Sequence, residues 1–487
     1  MTRPAFAVGC AVAAVLLCAA ACGTTKAAGP AAAGHPSAVA RSASAPDAGT
    51  CPTRRAWATA ITAAGHVAWQ VSLPTAAQQQ GVVLQPLVIG GVAVFAEENA
   101  VYGIRVSDGR QLWRRVFSKD IAAESGAVYG LWRSGSRVVV LTGQVSADAR
   151  LTALTASTGV VGWTLPLPSE LLGAQAQASG GTLAVLRPDG VLESVDLATG
   201  TVLWARHVGT SAGPAAVGSV IAAGGRALAV GYAGQGGGRA LWTARGLPPA
   251  TNLTAAAGLF LAWSNVQGGG APTAVTALNP RTGRVEWRFN PGPAVTILGA
   301  GPAGLAFATY VPDRRLYLVN PATGRVRWSA ATFAAAEGDN PGQVVEAAAD
   351  VVLPEGNVAP SADVDRLVAR DAADGRVLWS TPLPAGADGL NLAPLSLAGG
   401  QAIAITSVQG TGFPTSTRLT VRRLGTGRPL ASVTLPDMVL APLTVTGTSV
   451  LAQSDSPACA TAASGAVAAS GAVAASGAVA ASGAARG

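Results

Sequence analysis

ALNPRTGRVEW at residues 277–287, LVNPATGRVRW at 318–328 and ARDAADGRVLW at 369–379 are copies of one pattern. In each, Asn or Asp precedes a Gly by four residues and Trp follows that Gly by four. Working outward, the same Gly-to-Trp step occurs at Gly65 and Trp69, Gly109 and Trp113, Gly159 and Trp163, Gly200 and Trp204, Gly238 and Trp242, Gly283 and Trp287, Gly324 and Trp328, and Gly375 and Trp379. A ninth unit, Gly427 with Ala431, keeps the frame without the Trp. Successive units are about 45 residues apart, which fits a four-stranded propeller blade and exceeds a helical solenoid unit of about 34 residues.

The residue types inside each unit have local reasons. Thr-Gly or Asp-Gly, with Thr158, Thr199, Thr282, Thr323, Asp374 and Thr426 as the first residue, supplies the positive φ that a tight hairpin turn needs. Asp196, Asn279, Asn320 and Asp371 stand where a short polar side chain can accept backbone N–H groups of the turn. Val67, Val161, Val202, Val285, Val326 and Val377 follow the Gly by two residues, so strand alternation predicts that Val and Trp share one face. Apolar runs upstream, such as 274–278 and 316–319, supply the partner strand. A sheet cannot bury both of its faces alone, so the recurring Trp is expected to wedge against the neighbouring blade.

With these residues in view, the segments at 277–287, 318–328 and 369–379 resemble pyrroloquinoline quinone (PQQ) repeats, and the resemblance covers about residues 56–455. It implies an all-β fold, a single β-propeller of eight four-stranded blades in which an N-terminal strand completes the last blade. His66 to Leu73 would be that strand, and its insertion would remove the exposed sheet edges that invite aggregation. Residues 441–455 offer two further strands, so the count reaches nine if the Gly-rich unit ending in Trp242 is complete; seven and nine are the alternatives. The family also includes propeller lipoproteins similar to that of the outer-membrane β-barrel assembly machinery.

The N-terminus reads MTRPAFAVGCAVAAVLLCAAAC. Arg3 precedes an apolar stretch and small residues lead into Cys22, the pattern of a secretory leader. Ala20, Ala21 and Cys22 resemble a bacterial lipobox, with Ala19 where Leu is usual, so lipidation of Cys22 is expected and simple secretion is the alternative. A lipid anchor contributes about 0.8 kcal/mol per buried CH₂. The expected organisation is a leader at 1–21, a flexible Ala, Pro and Ser-rich tether at 22–55, the propeller at 56–460 and a low-complexity tail at 461–487 that repeats AASGAV. Of the five cysteines, Cys10 and Cys18 leave with the leader and Cys22 takes lipid. Cys51 and Cys459 then remain at the two ends of the repeat region, where a disulfide would pin the first strand to the last; two free or separately oxidised thiols are the alternative.

The composition excludes several classes. With 49% hydrophobic and 12% charged residues the chain is not intrinsically disordered through most of its length. Its 33 basic residues exceed 25 acidic ones, but the excess is almost all Arg. Arg in place of Lys, in an Ala-rich chain, reflects a high-GC genome of actinobacterial type, so no nucleic-acid partner is inferred.

Chemistry is sparse. A PQQ-dependent dehydrogenase, by the family resemblance, needs an adjacent-cysteine disulfide, a carboxylate base and a Ca²⁺-holding set, and this sequence has no adjacent cysteines. His35, His66 and His207 are its only histidines, too few and too scattered for a zinc site or triad. Asp363 and Asp365 lack the Gly and distal Glu of a calcium loop. Gly234, Gly236, Gly237 and Gly238 lie between strands, not at the start of a helix, so no phosphate cradle is expected. Arg114 with Arg115, Arg314 with Arg315, and Arg422 with Arg423 are candidate basic rims for envelope polymers or anionic headgroups. The expectation is a monomeric, non-enzymatic, lipid-anchored extracytoplasmic module without catalytic, cofactor or metal residues, binding an envelope protein or cell-wall ligand. A sensor of small ligands in the central channel and a quinoprotein dehydrogenase are the competing readings.

Overall fold

The computed structural model describes residues 55–456 apart from connecting stretches, of which 75–83, 118–126, 144–148, 168–175, 265–273, 310–314, 332–344, 357–363, 383–390 and 410–415 are the longest. The chain divides after Thr50, and the first unit lies outside the described residues. Every described regular element of the second is a β-strand.

Among the described residues the strands form nine antiparallel sheets. Eight are four-stranded meanders, covering 87–116, 128–166, 176–207, 215–245, 251–289, 295–331, 345–382 and 391–435, and are numbered sheets 1 to 8 here. Sheet 9 joins the first and last described strands: Arg55–Thr62 lies between Val67–Leu73 and Ser449–Ser456, and the latter also pairs Met438–Val439 and Thr444–Thr446. The count is therefore nine, not the expected eight, because the Gly-rich unit ending in Trp242 is a complete sheet. Two N-terminal strands, rather than one, enter the closing sheet.

First strands of neighbouring sheets lie side by side at seven of the nine junctions, those between sheets 2 and 3 and between sheets 5 and 6 excepted, and Thr444–Thr446 of sheet 9 approaches Leu87–Ile89 of sheet 1 to complete the ring. Two hydrogen bonds fasten that junction, from Gln85 Nε2 to the Leu443 carbonyl (3.1 Å) and from Thr444 Oγ1 to the Pro86 carbonyl (2.6 Å). The core lies between sheets. Second strands such as Val92–Glu97 and Gly304–Thr309 are buried at every position, because each is covered on both faces by a neighbour. Phe289 of sheet 5, for example, meets Phe307 and Tyr317 of sheet 6 at ring-centroid distances of 4.9 and 5.4 Å.

The expected shared face of Val and Trp is overturned. In all nine sheets the fourth strand carries a bulge between these positions: Leu278 pairs Val285 and the adjacent Ala277 pairs Trp287, so the residue between them is extra. A bulge opposes two residues to one and reverses the alternation beyond it. Trp287 is 7% exposed while Val285 is 42% exposed.

Candidate functional site: the two ends of the ring

The eight repeat tryptophans occupy the seams between sheets. Each indole N–H donates to a backbone carbonyl in the C-terminal turn of the next sheet: Trp69 to Val106, Trp113 to Ala156, Trp163 to Ala198, Trp204 to Gly234, Trp242 to Pro280, Trp287 to Pro321, Trp328 to Ala372 and Trp379 to Leu424. The indole covers the Gly of that same turn. A Cβ on Gly324 would lie 2.5 Å from Trp287 Cγ, which explains why this position has no side chain. Seven of these tryptophans are buried and Trp163 is half-buried. At the ninth seam Ala431 meets Gly65, and an aliphatic cluster containing Ile61, Leu419, Leu435 and Val450 fills the interface.

The turns behave as their residue types require. Asp196 Oδ1 accepts the N–H groups of Ala198 (2.8 Å) and Thr199 (2.9 Å), and Asn279 Oδ1 accepts those of Arg281 and Thr282. The Gly-rich stretch 234–238 belongs to the same device, since the Gly234 carbonyl receives the Trp204 indole and Ser194 Oγ.

Meander topology gives each sheet two unlike ends. At one end, the first-to-second turns are two residues long in every sheet, as with Gly90 and Gly91, and the third-to-fourth turns are the short Gly turns. At the other end the connections vary, from Glu98 and Asn99 alone to the stretches 265–274 and 332–344. Because every Trp docks on the next sheet in the same way, all Gly turns share one end of the ring. Arg55 and Ser456, which pair with each other, emerge at the end with the variable connections.

The Gly-turn end carries a feature that sequence reading missed. Directly after the turn Gly stand Arg239, Arg284, Arg325, Arg376 and Arg428 in sheets 4 to 8, His66 in sheet 9 and Arg110 in sheet 1, all exposed. Only sheets 2 and 3 interrupt the arc, with Val160 and Thr201. Among the described residues Arg376 alone of the six arginines enters an ion pair, with Asp371 (3.3 Å) and Asp374 (3.9 Å). Asp108 lies close by: the Arg110 backbone N–H, and then Arg105, hold its carboxyl below the usual range. The signal was present in the repeated Thr-Gly-Arg, but the arginines are about 40–50 residues apart and become neighbours only in the ring.

The other candidates do not converge. Arg114 lies over the Tyr102 ring at 5.6 Å, Arg315 donates to Ser329 and Arg422 to the Gly427 carbonyl, in sheets 1, 6 and 8. Arg314, Asp363, His35, Cys22, Cys51 and Cys459 lie outside the described residues, as does the Asp365 side chain. His66 is in the turn before Val67–Leu73 and His207 ends a fourth strand, both exposed. Among the described residues no three His, Cys, Asp or Glu side chains converge, so those residues do not fit the carboxylate and calcium set of a PQQ site.

Sheets in a closed ring, docked Trp to Gly, define a β-propeller of the PQQ-repeat class. The family profile described as outer membrane protein assembly factor BamB matches residues 120–246, 189–407 and 271–482, and the chain belongs to this family. No curated protein matches it. BamB from Moraxella catarrhalis is similar in structure, with 18% identity over 77% of this chain and 97% of that one and a TM-score of 0.42. The computationally designed Ika8 protein has 13% identity over 68% and 93%, with a TM-score of 0.46. Quinohemoprotein alcohol dehydrogenase ADHIIG from Pseudomonas putida HK5 has 14% identity over 77% and 75%, with a TM-score of 0.40.

Proposed function

We propose that this chain is a non-enzymatic extracytoplasmic propeller, held to the membrane by lipid on Cys22, that presents its variable-connection end to another envelope protein. The asymmetry of the two ends carries this reading. Connections fixed at two residues in every sheet leave no room for specificity, whereas those that vary from sheet to sheet are where rigid scaffolds place recognition residues. Membership of the BamB family supports a role in assembling envelope components.

The same reading bridges Cys51 and Cys459. Arg55 and Ser456 are opposed in neighbouring strands, four and three residues from those cysteines. Bond formation would pass two electrons and two protons from the thiols to an envelope disulfide, which is reduced to a dithiol. Non-reducing peptide mapping of the exported chain should recover the linked pair; alkylation of both thiols in the untreated protein would exclude it.

The functional test is photocrosslinking in the native host from positions 79, 336 and 386, in sequences that connect successive sheets, and from 91, 219 and 258, in the two-residue turns. A discrete protein adduct from the first set alone is expected. Equal labelling from both sets, or none, would refute the assignment, and heat on titrating PQQ with Ca²⁺ into the chain would refute its non-enzymatic part.

A further inference from the structure

We propose that the Gly-turn end, through its arginine arc, docks on an anionic bilayer surface. Three observations lead there. The arginines occupy equivalent positions of a repeated unit, so they stand at one level along an arc, a layout that fits a flat anionic surface better than a pocket ligand. Their charge is little consumed: Asp196, Asp371 and Asp374 at this end accept N–H groups of their own turns, and Arg376 alone of the six is ion-paired among the described residues. Third, each residue of the arc except Arg110 has an exposed apolar neighbour on the same strand start.

That last observation selects a bilayer over a soluble polyanion. Val67 beside His66, Val285 beside Arg284, Val326 beside Arg325 and Val377 beside Arg376 are 44%, 42%, 44% and 51% exposed. Leu241 and Leu430 follow Arg239 and Arg428 by two residues, each 37% exposed. The fourth-strand bulge is what turns the valines outward while the Trp turns in; Leu241 and Leu430 are themselves the extra residue of the bulge. Cations interleaved with apolar groups match headgroup phosphates above acyl chains, the layout of interfacial membrane binding. A soluble polymer of phosphodiesters would use the cations and leave the apolar set idle. At the opposite end the connecting sequences are acidic in balance, with Asp120, Glu124, Glu337 and Asp339 against Lys119 and Arg226 among them, so the field would orient the approach.

The test is co-sedimentation of the full chain carrying Cys22→Ser, so that no lipid anchor carries the binding, with vesicles of phosphatidylglycerol and phosphatidylcholine or of phosphatidylcholine alone. Binding to the anionic vesicles only, weakened by salt, is expected. Replacing Arg284, Arg325 and Arg428 by Gln should lower the partition coefficient about fivefold per arginine, roughly a hundredfold for three. Replacing Arg150, Arg226 and Arg245, exposed near the other end, makes the same change in net charge and should cost less than about threefold. Lys at the three arc positions should restore binding, which separates charge from folding. Replacing Val285, Val326 and Val377 by Ser should also weaken binding at least about fivefold. Equal losses from both arginine triples would overturn the proposal. So would an unaffected Val triple, or binding to soluble polyphosphate with none to vesicles.

Discussion

Replacing Trp287 and Gly324 singly and together tests whether the seams hold the ring as a unit. Trp287 is 7% exposed, and its indole N–H donates to the Pro321 carbonyl at 2.7 Å. Trp287→Ala removes the ring and leaves a cavity, about 3–5 kcal/mol. It also strips Pro321 of its donor, about 1 kcal/mol more. Trp287→Phe retains much of the packing and loses the donor, so about 1–2 kcal/mol is expected. Gly324→Ala has two costs. Its φ of +68° disfavours any side chain, about 1–2 kcal/mol, and the new methyl would lie 2.5 Å from Trp287 Cγ, about 1–3 kcal/mol of overpacking. With Trp287 already Ala, the overpacking disappears and only the φ cost stays. Equilibrium urea unfolding of the four proteins, followed by fluorescence and circular dichroism, should therefore show a coupling of about 1–3 kcal/mol, the double variant being more stable than the two singles predict. Additivity within about 0.5 kcal/mol would refute the claim that this Gly exists to seat that indole.

The ring-closing seam behaves likewise, since Gly65 has φ +79° and a Cβ there would lie 2.5 Å from that of Ala431. Gly65→Ala should cost about 2–4 kcal/mol in urea unfolding, and an unchanged midpoint would mean that sheets 8 and 9 separate without cost. Asp196→Ala removes the acceptor for two turn N–H groups and should cost about 1–2 kcal/mol, with Asn restoring most of it; equal losses for Ala and Asn would refute a capping role. For Asp108 the folded pKa is depressed, chiefly by the Arg110 N–H, so its contribution is present above the unfolded carboxylate value and is lost as pH falls through the lower folded value. The urea midpoint of Asp108→Asn should accordingly fall less between pH 5 and 2 than that of the parent, and parallel curves would contradict this.

What repeats was legible in the sequence, because a repeat multiplies a weak local signal until it decides the architecture. Asn279 and Asn320 announce their turns, Gly283 and Gly324 the positive φ, and the interval from Trp to Trp a four-stranded sheet. The bulge was not legible, since Val285 and Trp287 two residues apart read as one face unless an extra residue intervenes, and nothing in Glu286 declares that it is extra. The sheet count turned on the same difficulty, because Gly234 to Gly238 look like an interruption and are an ordinary seam. The arginine arc was hidden for another reason. Linear reading finds clusters as adjacent pairs, such as Arg114 with Arg115, whereas Arg284 and Arg325 become neighbours only once successive sheets are docked. These two blind spots have one origin. The bulge that swings Trp287 into the seam also holds Val285 out beside Arg284, so the device that closes the ring also builds the rim of alternating cations and apolar groups. A change that removed the bulge would therefore loosen the seam and erase the rim together, whereas Val285→Ser alters the rim alone.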